Sequence, residues 1–176
     1  NKQILGNAMP KWTGDLTNTF TYKQFSLSFN FYMSWGNKLY NAMSYTMNML
    51  STTNNTPTPD FIHQSWWHPG DITNYPKAQL NSGLGNTTNI SSMYIEDASF
   101  IRFRNIRLTY QLDKSTLSRL GINGVSVFMF ANNIALWTKY TGYDPEISLG
   151  NSLAPGYDTG RYPRKKELGI GVNVNF

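Results

Sequence analysis

From Phe25 onward the odd positions read Phe25, Leu27, Phe29, Phe31, Met33 and Trp35, and the even ones Ser26, Ser28, Asn30, Tyr32, Ser34 and Gly36. Successive side chains of a strand point to opposite faces, so this run predicts a strand over 25–36 with one apolar face. At roughly 3.3 Å per residue and a tilt of about 40°, such a strand crosses approximately the hydrocarbon of a bilayer. A soluble sandwich strand is nearer 5–6 residues. Leu16, Phe20 and Tyr22 against Thr17, Thr19 and Thr21 predict a preceding strand over 14–22, with only Lys23 and Gln24 left for a tight hairpin turn.

Three further strands are predicted. Over 99–112, Ile106, Leu108, Tyr110 and Leu112 oppose Arg107, Thr109 and Gln111, but Ile101 and Phe103 have the opposite phase, against Arg102 and Arg104. Either a bulge resets the register or the first half projects beyond the membrane; projection is the preferred reading. Over 124–138 the even positions (Phe128, Phe130, Ile134, Leu136) form the greasier face. Over 166–176, Leu168, Ile170, Val172, Val174 and Phe176 alternate with Gly169, Gly171, Asn173 and Asn175. A chain still in an amphipathic strand at its last residue is expected to have that end tied into a sheet. Outside the strands, apolar residues near helical spacing predict a helix from Lys38 to Leu50 and one helical turn over 114–121, while Thr52 to Pro59 reads as irregular.

The connections alternate between short (after the first and third strands) and long (37–98 and 139–165). Short turns at one end and long loops at the other are the habit of outer-membrane barrels, whereas a loop of about 60 residues is uncommon in a compact soluble domain. With the carboxyl end in the periplasm, both long loops fall outside the cell. Five strands are too few to close a barrel, for which about eight is the minimum. The expected fold class is therefore all-β, an antiparallel transmembrane β-barrel segment belonging to a longer or composite barrel.

Composition sharpens this. Of 176 residues 40% are hydrophobic and only 14% charged, against about 25% charged in ordinary soluble domains. The absence of cysteine excludes disulfides, thiol catalysis and Cys-based zinc sites. No apolar run is long enough for a transmembrane helix, and the amino-terminal residues lack a signal-peptide pattern, as expected of a mature product or an internal fragment. The net charge is +5, but the basic residues are scattered and make no case for nucleic acid.

Several runs resemble one known family. Tyr94-Ile95-Glu96-Asp97-Ala98-Ser99 through Ile106, Asn132-Asn133-Ile134 through Glu146, and Asp158-Thr159-Gly160-Arg161-Tyr162-Pro163 are similar, in order, to blocks of the SusC/RagA-type TonB-dependent transporters. So are Pro10–Gly14 and Tyr22–Leu27. The resemblance spans nearly the whole chain and is loosest between Asn41 and Ile90; Ala135-Leu136 departs from the bulkier aromatic usual in the family. It implies about the last five strands of a barrel of about 22, without the plug domain or the TonB-contacting segment. It further implies import of oligosaccharides or peptides across the bacterial outer membrane, a SusD-type lipoprotein partner, and dimers of transporter–lipoprotein pairs. A soluble extracellular glycan-binding β-sandwich is the competing reading; the two differ in whether a second sheet covers the apolar face.

Transport needs no bond chemistry in this segment, and no catalytic residue, metal site or cofactor is expected. Phe25, Leu27, Phe29, Phe31, Met33, Ile106, Leu108 and Tyr110 are expected to face lipid. Trp35 and Trp137, at outer strand ends, suit an aromatic girdle. Trp66 and Trp67, between His63 and His68, are candidate substrate-stacking aromatics, although forming a small loop core is the expected role of such large rings. Asp144, Glu146 and Asp158 could suggest a carboxylate pair for glycoside hydrolysis, but Asp144-Pro145 and Asp158-Thr159-Gly160 are better read as turns; a loop calcium ion is a minor alternative. Arg161, Arg164, Lys165 and Lys166 would meet lipopolysaccharide phosphates or simply solvent. The strand carrying Leu168, Ile170, Val172, Val174 and Phe176 resembles the carboxyl-terminal signal by which outer-membrane barrels are assembled.

Overall fold

A computed structural model describes residues 3–50, 56–80, 87, 89–113, 122–146 and 155–175. In chain order the elements are β1 (Trp12–Tyr22), β2 (Phe25–Trp35), β3 (Lys38–Asn41), α1 (Ala42–Asn48), α2 (Pro59–His63), a 3₁₀ turn (Ser92–Tyr94), β4 (Ile95–Asp97), β5 (Phe100–Gln111), β6 (Gly124–Thr138), β7 (Tyr157–Asp158) and β8 (Glu167–Asn175). They divide into two compact units. The sheet unit comprises Lys11–Trp35, Phe100–Thr138 and Arg164–Phe176; the loop unit comprises Asn1–Pro10, Gly36–Ser99 and Lys139–Pro163.

In the sheet unit β1, β2, β5, β6 and β8 pair in that order, all antiparallel. Directly opposed residues share a face, so the register assigns faces without ambiguity. Leu16 opposes Phe31, Leu27 opposes Leu108, Leu108 opposes Met129, and Met129 opposes Ile170. In the turn between β1 and β2, Lys23 takes a positive φ of 51°, the sign that tight hairpin turns need at their first central position.

The phase change in β5 is a bulge, which corrects the expectation of a projecting half-strand. Asn30 pairs with Asn105 and Phe31 with Phe103, so Arg104 is an extra residue relative to β2. One inserted residue flips the parity, and Ile101 and Phe103 thereby rejoin the face of Ile106 and Leu108. On the other side Asn105 pairs with Asn132 and Phe103 with Ala135, so both Asn133 and Ile134 stand against Arg104. With two insertions relative to β2, β6 recovers its parity, and its odd positions lie on the apolar face at both ends: Val127 and Met129, then Ala135 and Trp137. Asn133 takes the left-handed conformation at this point, with φ 52°, which asparagine tolerates better than most residues.

The expectation for β6 is corrected too. Phe128 opposes Thr109 and Gly171, and Phe130 opposes Arg107 and Gly169, so both rings stand on the polar face. The reason lies in β8. A Cβ at Gly169 would come within 2.6 Å of the Phe130 ring, and one at Gly171 would collide with Phe128. The glycines leave the room the rings occupy. Phe128 then receives the Arg107 guanidinium 3.8 Å above its ring centroid.

The loop unit holds a small sheet in the order β4-β3-β7, with β3 antiparallel to β4 and parallel to β7. Lys38–Tyr40 belong to this ladder, so the helix expected from Lys38 to Leu50 is only Ala42–Asn48. The Asn41 side chain starts it by accepting from the Ser44 amide at 2.9 Å. Leu39 serves the sheet instead, buried with Ala98 and Tyr140. The irregular stretch ends where Thr58 caps α2 and Pro59 opens it. Tyr40, Tyr45, Tyr94 and Tyr157 pack ring against ring, at centroid distances of 5.4 to 6.3 Å. Burial pushes the Tyr40 and Tyr94 hydroxyls up to about 12. The turn expected over 114–121 lies outside the described residues.

Two predictions follow from these contacts. In the complete protein, Gly171→Ala should destabilise by about 1–2 kcal/mol, because the Phe128 ring must give way and leave Arg107; adding Phe128→Leu should recover most of the loss in a thermal melt. The second concerns Asp97, whose carboxylate accepts from the Ser99 hydroxyl at 2.6 Å and the Ser99 amide at 3.0 Å. The hydroxyl bond foremost holds the Asp97 pKa below its ordinary 3.8. A carboxyl depressed on folding contributes stability above its unfolded pKa and loses it as pH falls through the lower folded value. Ser99→Ala should therefore move the acid loss of amide protection at Asp97–Ser99 to a higher pH, read by hydrogen exchange.

Candidate functional site

Phe25, Leu27, Phe29, Phe31, Met33, Ile106, Leu108 and Tyr110 all stand on one face of the sheet unit, placed there by register. Leu168 and Ile170 continue that face and are 81% and 74% exposed. Val172 and Val174 follow them; Phe176 lies outside the described residues. The face is bounded by aromatics at both ends. At one end Trp12 stacks on Trp35 at 6.2 Å, and Trp137 lies opposite Ile101. At the other, Tyr22 opposes Phe25, whose ring meets Tyr110 at 4.8 Å. Trp35 and Trp137 are the end-of-strand aromatics singled out in the sequence; Trp12, Tyr22, Phe25 and Tyr110 join the two rims only through the register.

The opposite face is polar and internally braced. The Asp15 carboxylate accepts from the Asn30 amide and from Thr17 Oγ1 at 3.2 Å, and Asn30 also donates to Thr17 at 2.8 Å. Arg104 Nη1 reaches Asp15 Oδ2 at 3.6 Å while its guanidinium lies 3.7 Å above the Tyr32 ring centroid. Beside it a cleft of about 390 Å³ is lined by Arg104, Asn132, Asn133, Arg164, Lys165 and Glu167. Arg164 and Lys165, read from sequence as part of one basic run, thus share a cleft with the bulge residues of β5 and β6.

The loop unit has its own cleft, of about 240 Å³, where Asn41, Thr58, Asp60, Tyr75, Thr141 and Tyr143 mix hydroxyls, an amide and a carboxylate with two phenol rings. Its floor is well braced. Asn41 donates to Glu96 Oε1 at 2.9 Å and to Thr141 at 3.2 Å, and Thr141 gives its amide and hydroxyl to the same carboxylate at 2.8 and 2.7 Å. Nearby the Tyr140 hydroxyl donates to Asp158 at 2.6 Å, and burial together with this bond raises its pKa. Glu96, Tyr140–Thr141 and Asp158 come from the three sequence blocks singled out above, which meet here.

Trp66 and Trp67 line neither cleft. Trp66 is half-buried and Trp67 is 43% exposed, its ring N–H donating to the Ile62 carbonyl at 3.2 Å. The expectation that they form the loop core is corrected: it is Phe61 beside them that is fully buried, packed on Tyr75 at 5.1 Å. Asp71 holds the Trp67 and His68 amides at 3.0 and 2.8 Å, and those bonds keep its pKa below the usual carboxylate value. His63 and His68 are exposed and join no three-residue metal-ligating group among the described residues. Asp144 accepts from the Glu146 amide and Asp158 from the Gly160 amide, so both serve turns.

Comparison with known proteins bears on the whole chain. No family model matches it. It is 39% identical over 178 aligned residues to TonB-dependent receptor P39 of Formosa agariphila, covering 100% of this chain and 17% of that protein. It is 28% identical to TonB-dependent receptor SusC of Bacteroides thetaiotaomicron, covering 92% of this chain and 15% of SusC. Among solved structures, the RagAB peptide importer in its closed-closed state superposes with a TM-score of 0.80 at 26% identity, over 99% of this chain and 18% of the importer chain. Its open-open state gives 0.78. The chain thus spans less than a fifth of the length of these relatives, which are receptors and transporters rather than enzymes. Over that span, by sequence and by fold, it belongs to the SusC/RagA-type TonB-dependent receptors.

Proposed function

We propose that this chain forms part of the barrel wall and outer loops of a TonB-dependent importer of oligosaccharides or peptides in the bacterial outer membrane. The observation that carries the reading is the exposed apolar face with an aromatic rim at each end. From Phe25 to Trp35 the path along β2 is roughly 33 Å, which a tilt of about 40° reduces to roughly 25 Å, the height of a barrel's lipid-facing band. Tyrosine and tryptophan at both borders suit the headgroup level, where a ring has one side in hydrocarbon and a polar tip in water. The eight apolar residues of β2 and β5 and the exposed side chains of β8 are then lipid-facing. A soluble glycan-binding sandwich would instead need a second sheet over Leu168 and Ile170 in the complete protein.

In this reading the polar face lines the passage, and the loop-unit cleft, with Tyr75 and Tyr143 among hydroxyl and amide groups, contacts cargo in the way sugars and peptides are held, by stacking and hydrogen bonding. Trp66 and Trp67 are available at the loop surface for the cargo or for a SusD-type lipoprotein. Energy would reach the barrel through a plug and a TonB-contacting segment lying elsewhere in the whole protein, and transporter–lipoprotein pairs would assemble as dimers. β8, with Leu168, Ile170, Val172, Val174 and Phe176, would be the strand read by the barrel-assembly machinery.

Two measurements test this. In the complete barrel refolded into lipid vesicles, Leu108→Arg should cost about 2–4 kcal/mol, whereas Thr109→Arg, on the other face, should cost under about 1 kcal/mol; equal tolerance would remove the lipid-facing assignment. Cells expressing the complete protein should take up labelled oligosaccharide or peptide only while TonB is energised. Uptake of neither class would overturn the importer reading.

A further inference from the structure

We infer that the loop-unit cleft is a subsite for a cationic side chain, the ammonium of lysine or the guanidinium of arginine, carried by an imported peptide. The inference rests on the importer reading above, which brings cargo to this cleft, and it names the group the cleft selects. At about 240 Å³ the cleft is smaller than a whole-ligand site of about 300–1,000 Å³. It has room for one side chain of a longer molecule. No lysine, arginine or histidine lines it, whereas the Asp60 carboxylate does. A second carboxylate, Glu96, is bonded to the lining residues Asn41 and Thr141. Among the described residues neither Asp60 nor Glu96 forms an ion pair. Glu96 receives only neutral donors, which hold its charge in place without cancelling it. The bias extends to the loop unit as a whole, which carries seven carboxylates against five lysines and arginines, the reverse of the chain's ten against fifteen. A cleft of one sign focuses its field and draws in the opposite charge.

The hydrogen-bonding and apolar surfaces match the same ligand. Asn41 gives its side-chain amide to Glu96 and Thr141, Thr141 gives its amide and hydroxyl to Glu96, and the Thr58 hydroxyl donates to Asn48 at 3.3 Å. An anionic group would therefore meet like charge and donors already in use. An ammonium or guanidinium carries donors only and asks for acceptors, which Asp60 supplies. Tyr75 and Tyr143 add ring faces that attract a cation through their negative quadrupole. Tyr143 is 56% exposed, and Tyr75 is fixed against Phe61. Burial foremost, then the charges of Glu96 and Asp60, raise the Tyr75 hydroxyl above its ordinary 10.0, so both carboxylates are felt at one ring. Met43 and Met47 complete the lining with thioether chains. The methylene stem of a lysine or arginine packs on such chains while its charged head reaches Asp60. An amino sugar has the charge without the stem.

The test presents the complete transporter, purified in detergent, with a pool of randomised pentapeptides and reads the bound fraction by mass spectrometry. Peptides containing lysine or arginine should be enriched about tenfold over the input. The best-retained peptide is then titrated calorimetrically beside analogues with norleucine or glutamate in place of its basic residue. Norleucine should weaken binding about tenfold and glutamate further, and rising salt should narrow the gap. In Asp60→Asn the difference between the basic peptide and its norleucine analogue should vanish, a coupling that general loss of fold does not imitate. Asp60 is exposed and its carboxylate has no hydrogen-bond partner among the described residues, so the variant is expected to fold. Tyr143→Leu should narrow the same gap in part. The inference is overturned if basic peptides are not enriched, or if their advantage over norleucine survives Asp60→Asn. It is also overturned if a glucosamine tetramer, preferred over its N-acetylated counterpart, binds in an Asp60-dependent way and basic peptides do not. TonB-dependent uptake that ignores the charge of the cargo would reject the subsite and spare the importer. Uptake of neither peptide nor oligosaccharide would reject the importer itself.

Discussion

Parity is the constraint on which the sheet depends. Side chains alternate along a strand, and hydrogen-bonded neighbours place opposed residues on the same side. A sheet with one apolar face therefore needs every strand to deliver its apolar residues in phase. β1, β2 and β8 do so from their sequences alone. β5 does so only because Arg104 is inserted, and β6 keeps its odd positions on that face beyond the bulge only because two residues are inserted there relative to β2. A slip of one residue anywhere along these ladders would turn Phe31 or Leu108 to the polar side and an arginine to the apolar one, so the bulges are part of the register and not blemishes in it.

That same parity supplies the polar face with its character. Residues excluded from the apolar side become Asp15, Asn30, Arg104, Arg107 and Asn132, and they brace one another through hydrogen bonds and guanidinium–ring contacts. Two large rings, Phe128 and Phe130, are admitted there because β8 contributes glycine at the opposed positions. The polar face is thus patterned, with Arg104 and Arg107 each laid against an aromatic ring. The loop unit is held differently, by buried aromatics and by the Glu96–Asn41–Thr141 network, which fixes a cleft of mixed polar and aromatic lining.

Local pattern and pairing carried different parts of this molecule. The antiparallel strands, the tight turn at Lys23–Gln24 and the alternation of Phe25 to Trp35 are properties of neighbouring residues, and each could be read without knowing what lay beside it. The turn role of Asp144 and Asp158 was legible for the same reason: a short acidic side chain bonds amides one or two residues away. The helix expected from Lys38 was too long because Leu39 sits at helical spacing from Ala42 and Met43, yet its neighbours find hydrogen-bond partners in Ile95–Asp97, distant in the chain. Trp66 and Trp67 drew attention by size, whereas Phe61 took the buried position because α2 turns it onto Tyr75.

What the sequence by itself determined is the alternation, hence the strands, the apolar faces of β1, β2 and β8, and the likeness to a family whose blocks appear in order. What only the tertiary structure decided is which faces coincide: the bulge at Arg104, the polar placement of Phe128 and Phe130, the rim formed by Trp12, Trp35 and Trp137, and the clefts that gather Asn41 with Thr141 and Arg104 with Lys165. The physical reason is that alternation is encoded in residues two apart, while a face, a rim or a cleft is a relation among strands whose register is set by hydrogen bonds between segments tens of residues apart in the chain.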